Sequence, residues 1–182
     1  CSCIGRKLFN LRPAVPWISY DARRTLSELL PSSAVVLEFG SGNSTIWFAK
    51  HYGAVDSVEH DALWHAFVSK AIRTHSLNNV SYYLHQEPEY ARFAETAGKR
   101  YDLIMIDGIV RSACAATALQ RVKPDGIIYL DNSDKHPQGG DTRLAEERLL
   151  TAAEALQGQI LYFTDFAPTD LFANQGMMLL LG

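Results

Sequence analysis

The stretch "VVLEFGSGNST", residues 35–45, carries an apolar run of strand length that ends in an acid and breaks at once into two glycines one residue apart. Glycines let a backbone approach a ligand and adopt dihedrals closed to other residues. An apolar strand, a glycine loop and a helix start in that order mark the first unit of a doubly wound α/β sheet. Ligands in such sheets sit outside the carboxyl ends of the strands, where the strand order reverses.

Working outward, strand and helix patterns alternate on both sides of the loop. Upstream, "SYDARRTLSELLP" spaces Leu26, Leu29 and Leu30 as a helix that stops at Pro31. Downstream, "NSTIWFAKHYG" predicts a helix with Asn43 or Ser44 as its N-cap and Gly53 as its end. "AVDSVEH" predicts a strand, and "DALWHAFVSKAIRTHSL" a helix capped by Asp61 with Leu63, Phe67, Val68, Ala71 and Ile72 on one face. "VSYYL", "YDLIMID" and "IIYLDN" read as further strands; the short "PEYARFAETAG" and then "SACAATALQRV" read as the intervening helices, with "KPDG" as a turn. The charged helix from Asp141 is expected to present a solvated outer face, and "QILYFTDF" and "GMMLLLG" are strands with no helix between them. The fold class is therefore α/β: a Rossmann-like doubly wound sheet, mostly parallel with an antiparallel last strand, and helices on both faces. Residues 1–33 form a lead-in and cap helix and residues 34–182 the ligand-binding domain, together one globular unit.

Composition narrows the partners. The formal net charge is −3, without the excess of Lys and Arg that nucleic acid demands. No run approaches the roughly 18 apolar residues of a membrane-spanning helix. Cys1, Cys3 and Cys114 make neither a disulfide framework nor a zinc pattern, which points to a reducing, cytoplasmic setting. A chain that begins with Cys is also how a processed end or a lipidated secreted protein begins.

Three features narrow the ligand. The dinucleotide fingerprint G-x-G-x-x-G needs a third glycine where Thr45 stands, and no Gly-Lys-Ser/Thr follows to cradle phosphates. Glu38, just before the glycines, would repel a pyrophosphate and attract a cationic amino group. Glu59 ends the next strand, about 20 residues on, where a carboxylate can accept from ribose hydroxyls. Together they describe a pocket for a nucleoside with a cationic amino-acid end. A nicotinamide-nucleotide oxidoreductase and a non-catalytic cofactor-binding domain are the alternatives.

These residues carry a resemblance. "VLEFGSGNST" is similar to the first motif of class I S-adenosylmethionine-dependent methyltransferases, "SVEHD" to the second, "YDLIMIDG" to the fourth-strand motif and "VKPDGIIYLDN" to the turn and fifth strand. The resemblance implies that Glu59 binds the ribose, that the loop from Gly40 to Gly42 lies against the methionine part, and that Gln86 and Glu87 border the adenine. The cofactor set is Glu38, Gly40, Ser41, Gly42, Asn43, Ser44, Glu59, His60, Gln86 and Asp107.

Asp107 and the pair Asp131-Asn132 converge at neighbouring strand ends, and three oxygen-bearing side chains suit a hard cation such as Mg²⁺. The set is similar to the metal site of catechol and caffeoyl-type O-methyltransferases, which implies a cation that lowers the pKa of a small-molecule hydroxyl. The Asp-Asn pair also fits a turn or a direct substrate contact. The same resemblance implies a lysine base after the fourth strand, where the sequence instead has Gly-Ile-Val-Arg; Arg111 stays protonated and suits an anionic substrate group. Asp107, Lys135 and His136 are the catalytic candidates, the last two as proton acceptors. The first 30 residues are read either as a cap on the substrate pocket or as a dimer contact.

Overall fold

Val35–Phe39 (β1) runs through the middle of the molecule, with Val36, Leu37 and Phe39 fully buried. The computed structural model describes residues 16–96, 98–134, 139–166 and 173–182. Around β1 come Tyr20–Leu29 (α1), Asn43–His51 (α2), Ala54–Glu59 (β2), Ala62–Thr74 (α3), Val80–Leu84 (β3), Glu89–Thr96 (α4) and Tyr101–Ile106 (β4). Arg111–Arg121 (α5), Val122–Leu130 (β5), Asp141–Leu156 (α6), Gln159–Phe166 (β6) and Ala173–Leu180 (β7) complete it. The sheet order is β3-β2-β1-β4-β5-β7-β6. Strands β1 to β5 pair in parallel, and β7 runs antiparallel to both its neighbours, β5 and β6. The order reverses between β1 and β4, so the glycine loop after β1 opens at the crevice where such sheets bind ligands.

Adjacent residues on the middle strands point into different cores, which is why their sequences are continuous apolar runs. Val36, Leu103, Met105 and Tyr129 meet α1 and α2 through Ala22, Leu26, Trp47 and Phe48. Leu37, Phe39, Ile104, Ile106 and Leu130 meet α4, α5 and α6 through Tyr90, Ala94, Cys114, Ala118 and Leu149. Burying a residue of this kind stabilises by about 1.5–3 kcal/mol. Among the described residues no helix is long and apolar enough to cross a membrane.

Four local expectations are corrected. Helix α2 is capped by Gly42, not by Asn43 or Ser44: Thr45 reaches back to accept from the Gly42 N–H at 3.0 Å. In α3 Asp61 is the cap, its side chain accepting from Trp64 N at 2.7 Å, yet only Val68 of the predicted apolar face is buried. Leu63 is 84% exposed and Phe67 55%: α3 packs on β2 and β3 at the end of the sheet, and Phe67 faces the cavity beside the glycine loop instead of a strand. The "KPDG" segment is not a separate turn before β5. The pairing steps from Tyr101 with Val122 to Leu103 with Ile127, so these residues bulge out of one continuous strand. On α6, Glu146 is buried rather than solvated, paired with Arg143 and accepting from Tyr162 Oη at 2.8 Å.

Candidate functional site

Gly40 has φ +92°, a conformation that side chains rarely adopt, and a Cβ there would stand 2.7 Å from the Gly108 nitrogen and 2.8 Å from its Cα. The glycine is needed because the β1 and β4 loops touch backbone to backbone. Gly42 differs: its backbone is extended, and a Cβ would meet only the Ser44 hydroxyl at 3.8 Å. The space it leaves open belongs to a cavity of about 170 Å³ lined by Trp17, Ser41 to Ser44, Trp64, Phe67 and Asp107 among others. A second, more open cavity is lined by Gly40, Ser41, Glu59, His60, Asp61, Trp64, Asp107 and Gly108. Ser41, Trp64 and Asp107 line both, so one elongated ligand can occupy the two together.

Glu38 lies beneath the loop, fully buried, and lines neither cavity. Its Oε2 accepts from Thr45 Oγ1 at 2.5 Å and Ser57 Oγ at 2.7 Å, while Oε1 has no hydrogen-bond partner among the described residues. Burial pushes its pKa up to about 7, against the opposing pull of the Ser44, Thr45 and Ser57 hydroxyls. Thr45, the residue that breaks the dinucleotide fingerprint, thus ties the start of α2 to the end of β1.

Glu59 is surrounded by donors. Its Oε1 accepts from His60 N at 2.8 Å and Asp61 N at 3.0 Å, and Oε2 from Ser41 N at 3.1 Å and Ser41 Oγ at 2.8 Å. His60 Nδ1 stands 3.0 Å from Oε1, and the Gln86 amide donates to the His60 carbonyl. Tyr82 on β3 and Trp64 on α3 complete the frame: the Tyr82 hydroxyl is 2.6 Å from Ser41 Oγ, and Trp64 Nε1 donates to Ser41 O at 2.8 Å. Burial raises the Tyr82 phenol well above its ordinary value, so it keeps its proton. Neither residue was among the sequence candidates. The parallel register that sets Tyr82 beside Ser57 and Leu84 beside Glu59 was the only signal available.

At the other strand ends Asp107 is 41% exposed and Asp131 is buried. Burial first, then the neighbouring Asp107 charge, raise the Asp131 pKa well above the carboxylate range, with Arg111 opposing. The Asn132 amide donates to Asp131 Oδ2 from a left-handed backbone, φ +54°. Asp107, Asp131 and Asn132 are therefore brought together; Asp131 and Asn132 line neither cavity. Among the described residues no group of three or more His, Cys, Asp or Glu is placed to hold a metal ion.

Arg111 is not available to a substrate. Its side chain is 14% exposed, and it donates to Gly108 O at 2.9 Å, to Asp107 O at 3.1 Å and to Asp131 O, with Asp107 Oδ1 at 3.2 Å. It clamps the ends of β4 and β5. Asp141, at the start of α6, caps α5 by accepting from Arg111 N at 2.6 Å and Ser112 N at 3.1 Å. Lys135 and His136 lie outside the described residues.

No family model matches the sequence, and no curated protein matches it. Solved structures do share its fold. The chain is similar to the O-methyltransferase TomG from Streptomyces achromogenes, involved in tomaymycin synthesis and crystallised with S-adenosylmethionine, at 14% identity, 99% of this chain, 87% of that one and TM-score 0.73. An O-methyltransferase from Bacillus cereus in complex with S-adenosylhomocysteine matches at 18% identity, 100% and 89% coverage and TM-score 0.75. An rRNA methylase from Streptococcus thermophilus matches at 12% identity, 89% and 95% coverage and TM-score 0.66. At these identities the likeness establishes the fold: the doubly wound methyltransferase-type sheet with its reversed seventh strand.

Proposed function

We propose that this chain is an S-adenosylmethionine-dependent methyltransferase that methylates an oxygen of a small molecule. The observation that carries the reading is Glu59, at the end of β2, facing a cavity beside a glycine loop whose two cavities share Ser41, Trp64 and Asp107. A nucleoside fits beside Glu59 in the open cavity, and an amino-acid end fits among Gly42, Asn43 and Ser44. The pyrophosphate of a nicotinamide cofactor would meet the Asp107 carboxylate, which lines both cavities, where it needs donors. Net charge −3 supports a small molecule over RNA as the acceptor.

S-adenosylmethionine, when bound, supplies a methyl group already activated on a sulfonium. The chain's part is then to orient and to exclude water. Glu59 and the loop fix the nucleoside, Trp17, Trp64 and Phe67 wall the cavity against solvent, and Asp107 presents a carboxylate where the two cavities meet. Asp107, Asp131 and Asn132 are the residues that would hold a divalent cation such as Mg²⁺, whose charge would act against the burial and the Asp107 repulsion that raise Asp131. That cation would also acidify a substrate hydroxyl. Lys135 and His136 are the proposed proton acceptors.

Calorimetry tests the reading. S-adenosylmethionine and S-adenosylhomocysteine should bind with micromolar constants, NAD(H) should not, and Glu59→Ala should weaken the first two strongly. No heat with either sulfur ligand would overturn it. Full activity in EDTA would remove the cation and leave the methyl transfer.

A further inference from the structure

Glu59 reaches its ligand with no acceptor position to spare. A carboxylate has about four lone-pair sites. Four donors of the protein already fill them: the backbone N–H groups of Ser41, His60 and Asp61, and the hydroxyl of Ser41. The three backbone donors belong to the glycine loop and to the turn into α3, and none can leave without unwinding those segments. On Oε2, where Ser41 supplies both donors, only its hydroxyl can turn away by rotating about one bond; the His60 side chain stands on the other oxygen, its Nδ1 3.0 Å from Oε1.

Its alternative acceptor is already in place. Ser41 Oγ stands 2.6 Å from Tyr82 Oη, and the two hydroxyls can exchange the direction of donation without moving a heavy atom. While Ser41 donates to Glu59, Tyr82 donates to Ser41. When Ser41 turns, it donates to Tyr82, and the displaced phenol proton donates to water, Tyr82 being partly exposed. Tyr82 is held for this task, because its ring stacks on His65 with centroids 4.2 Å apart and planes 19° apart.

We propose that Ser41 and Tyr82 form a hydroxyl switch that occupies the sugar-facing oxygen of Glu59 in the empty site and releases it to a ribose hydroxyl when a nucleoside binds. Tyr82 is thus a positioning residue that acts through Ser41, and Ser41 competes with the ligand for Glu59. The inference rests on the proposed function, since it takes the ligand to be a nucleoside. Its consequence is a sign that a supporting role would not produce: removing the Ser41 hydroxyl does not weaken the ligand, whereas removing its alternative acceptor does.

The test is titration calorimetry with S-adenosylhomocysteine on the unsubstituted protein, Ser41→Ala, Tyr82→Phe and the double variant, each checked for a cooperative melting transition. Tyr82→Phe should weaken binding about fivefold, the worth of one hydrogen bond left unmade. Ser41→Ala should bind at least as tightly as the unsubstituted protein. The double variant should match Ser41→Ala within about twofold, because Tyr82 has nothing left to act on. Weakening by Ser41→Ala, or a Tyr82→Phe loss that persists in the double variant, would overturn the switch. If Tyr82→Phe does not melt cooperatively, a Ser41→Ala protein that binds more weakly still overturns it, and one that does not still supports it. No heat with the unsubstituted protein would overturn the proposed function first and the switch with it.

Discussion

At the ends of β1 and β2, Glu38 and Glu59 are anchored by donors, two on one oxygen of Glu38 and four across Glu59; at the ends of β4 and β5, Asp107 and Asp131 are set against each other. The first pair is held by Thr45, Ser57, Ser41 and the β2–α3 turn. The second pair is held apart from collapse by one side chain, Arg111, which spends most of its donors on backbone carbonyls. One half of the site is thus organised before any ligand arrives. The other half keeps a carboxylate, Asp131, whose hold on a proton is strengthened first by burial and then by the Asp107 charge.

The comparison breaks most readily at the seam between the halves. Gly40→Val forces a side chain into Gly108 and into a disfavoured dihedral, so S-adenosylhomocysteine affinity measured by calorimetry should fall by roughly a hundredfold. An affinity within tenfold of the unsubstituted value would show that the two loops are not rigidly joined. Arg111→Met should lower unfolding free energy by about 3 kcal/mol in urea titrations, since it leaves carbonyls of both strand ends unpaired. Arg111→Lys should recover little of this, because one ammonium cannot reproduce the fork.

Glu38 gives a third, pH-dependent contrast. Its folded pKa near 7 exceeds the value of 4.5 expected of an exposed glutamate, so the folded protein binds the proton more tightly than the unfolded chain. The associated stability is fully present below pH 4.5 and is lost as pH rises through 7, roughly 3 kcal/mol in all. Urea midpoints should therefore fall from pH 5 to pH 8, and Glu38→Gln should flatten that fall. The smallest effect is expected at Leu63, 84% exposed on α3: Leu63→Ser should change stability by less than about 0.5 kcal/mol in the same titration.

Much of the fold was legible because its signals are local. The apolar runs of the parallel strands, Asp61 as a cap and the antiparallel last strand all appear as predicted, and Glu59 could be read as a strand-end acid from its place at the close of the second strand. What escaped the sequence depends on contacts between distant segments. Tyr82 meets Ser41 only because β3 pairs with β2 in one register, and no pattern in "VSYYL" distinguishes it from Tyr83 as the inward hydroxyl. Arg111 looked free because its partners are carbonyl oxygens, which every residue has. Leu63 and Phe67 have helical spacing for a core face, but spacing does not say where the sheet ends. Glu146 in a charged helix looked solvated until Tyr162 of β6 came to meet it.

The placement of β7 between β5 and β6 bears on how the chain reaches this state during synthesis. Strand β6 leaves the ribosome first, yet it has no partner in the sheet except β7, and β5 keeps an open edge until β7 arrives. Strand β6 can therefore join the sheet only together with β7 or after it. Until then the unpaired edge of β5, with Ile127, Ile128 and Leu130, is a template for any other extended chain nearby.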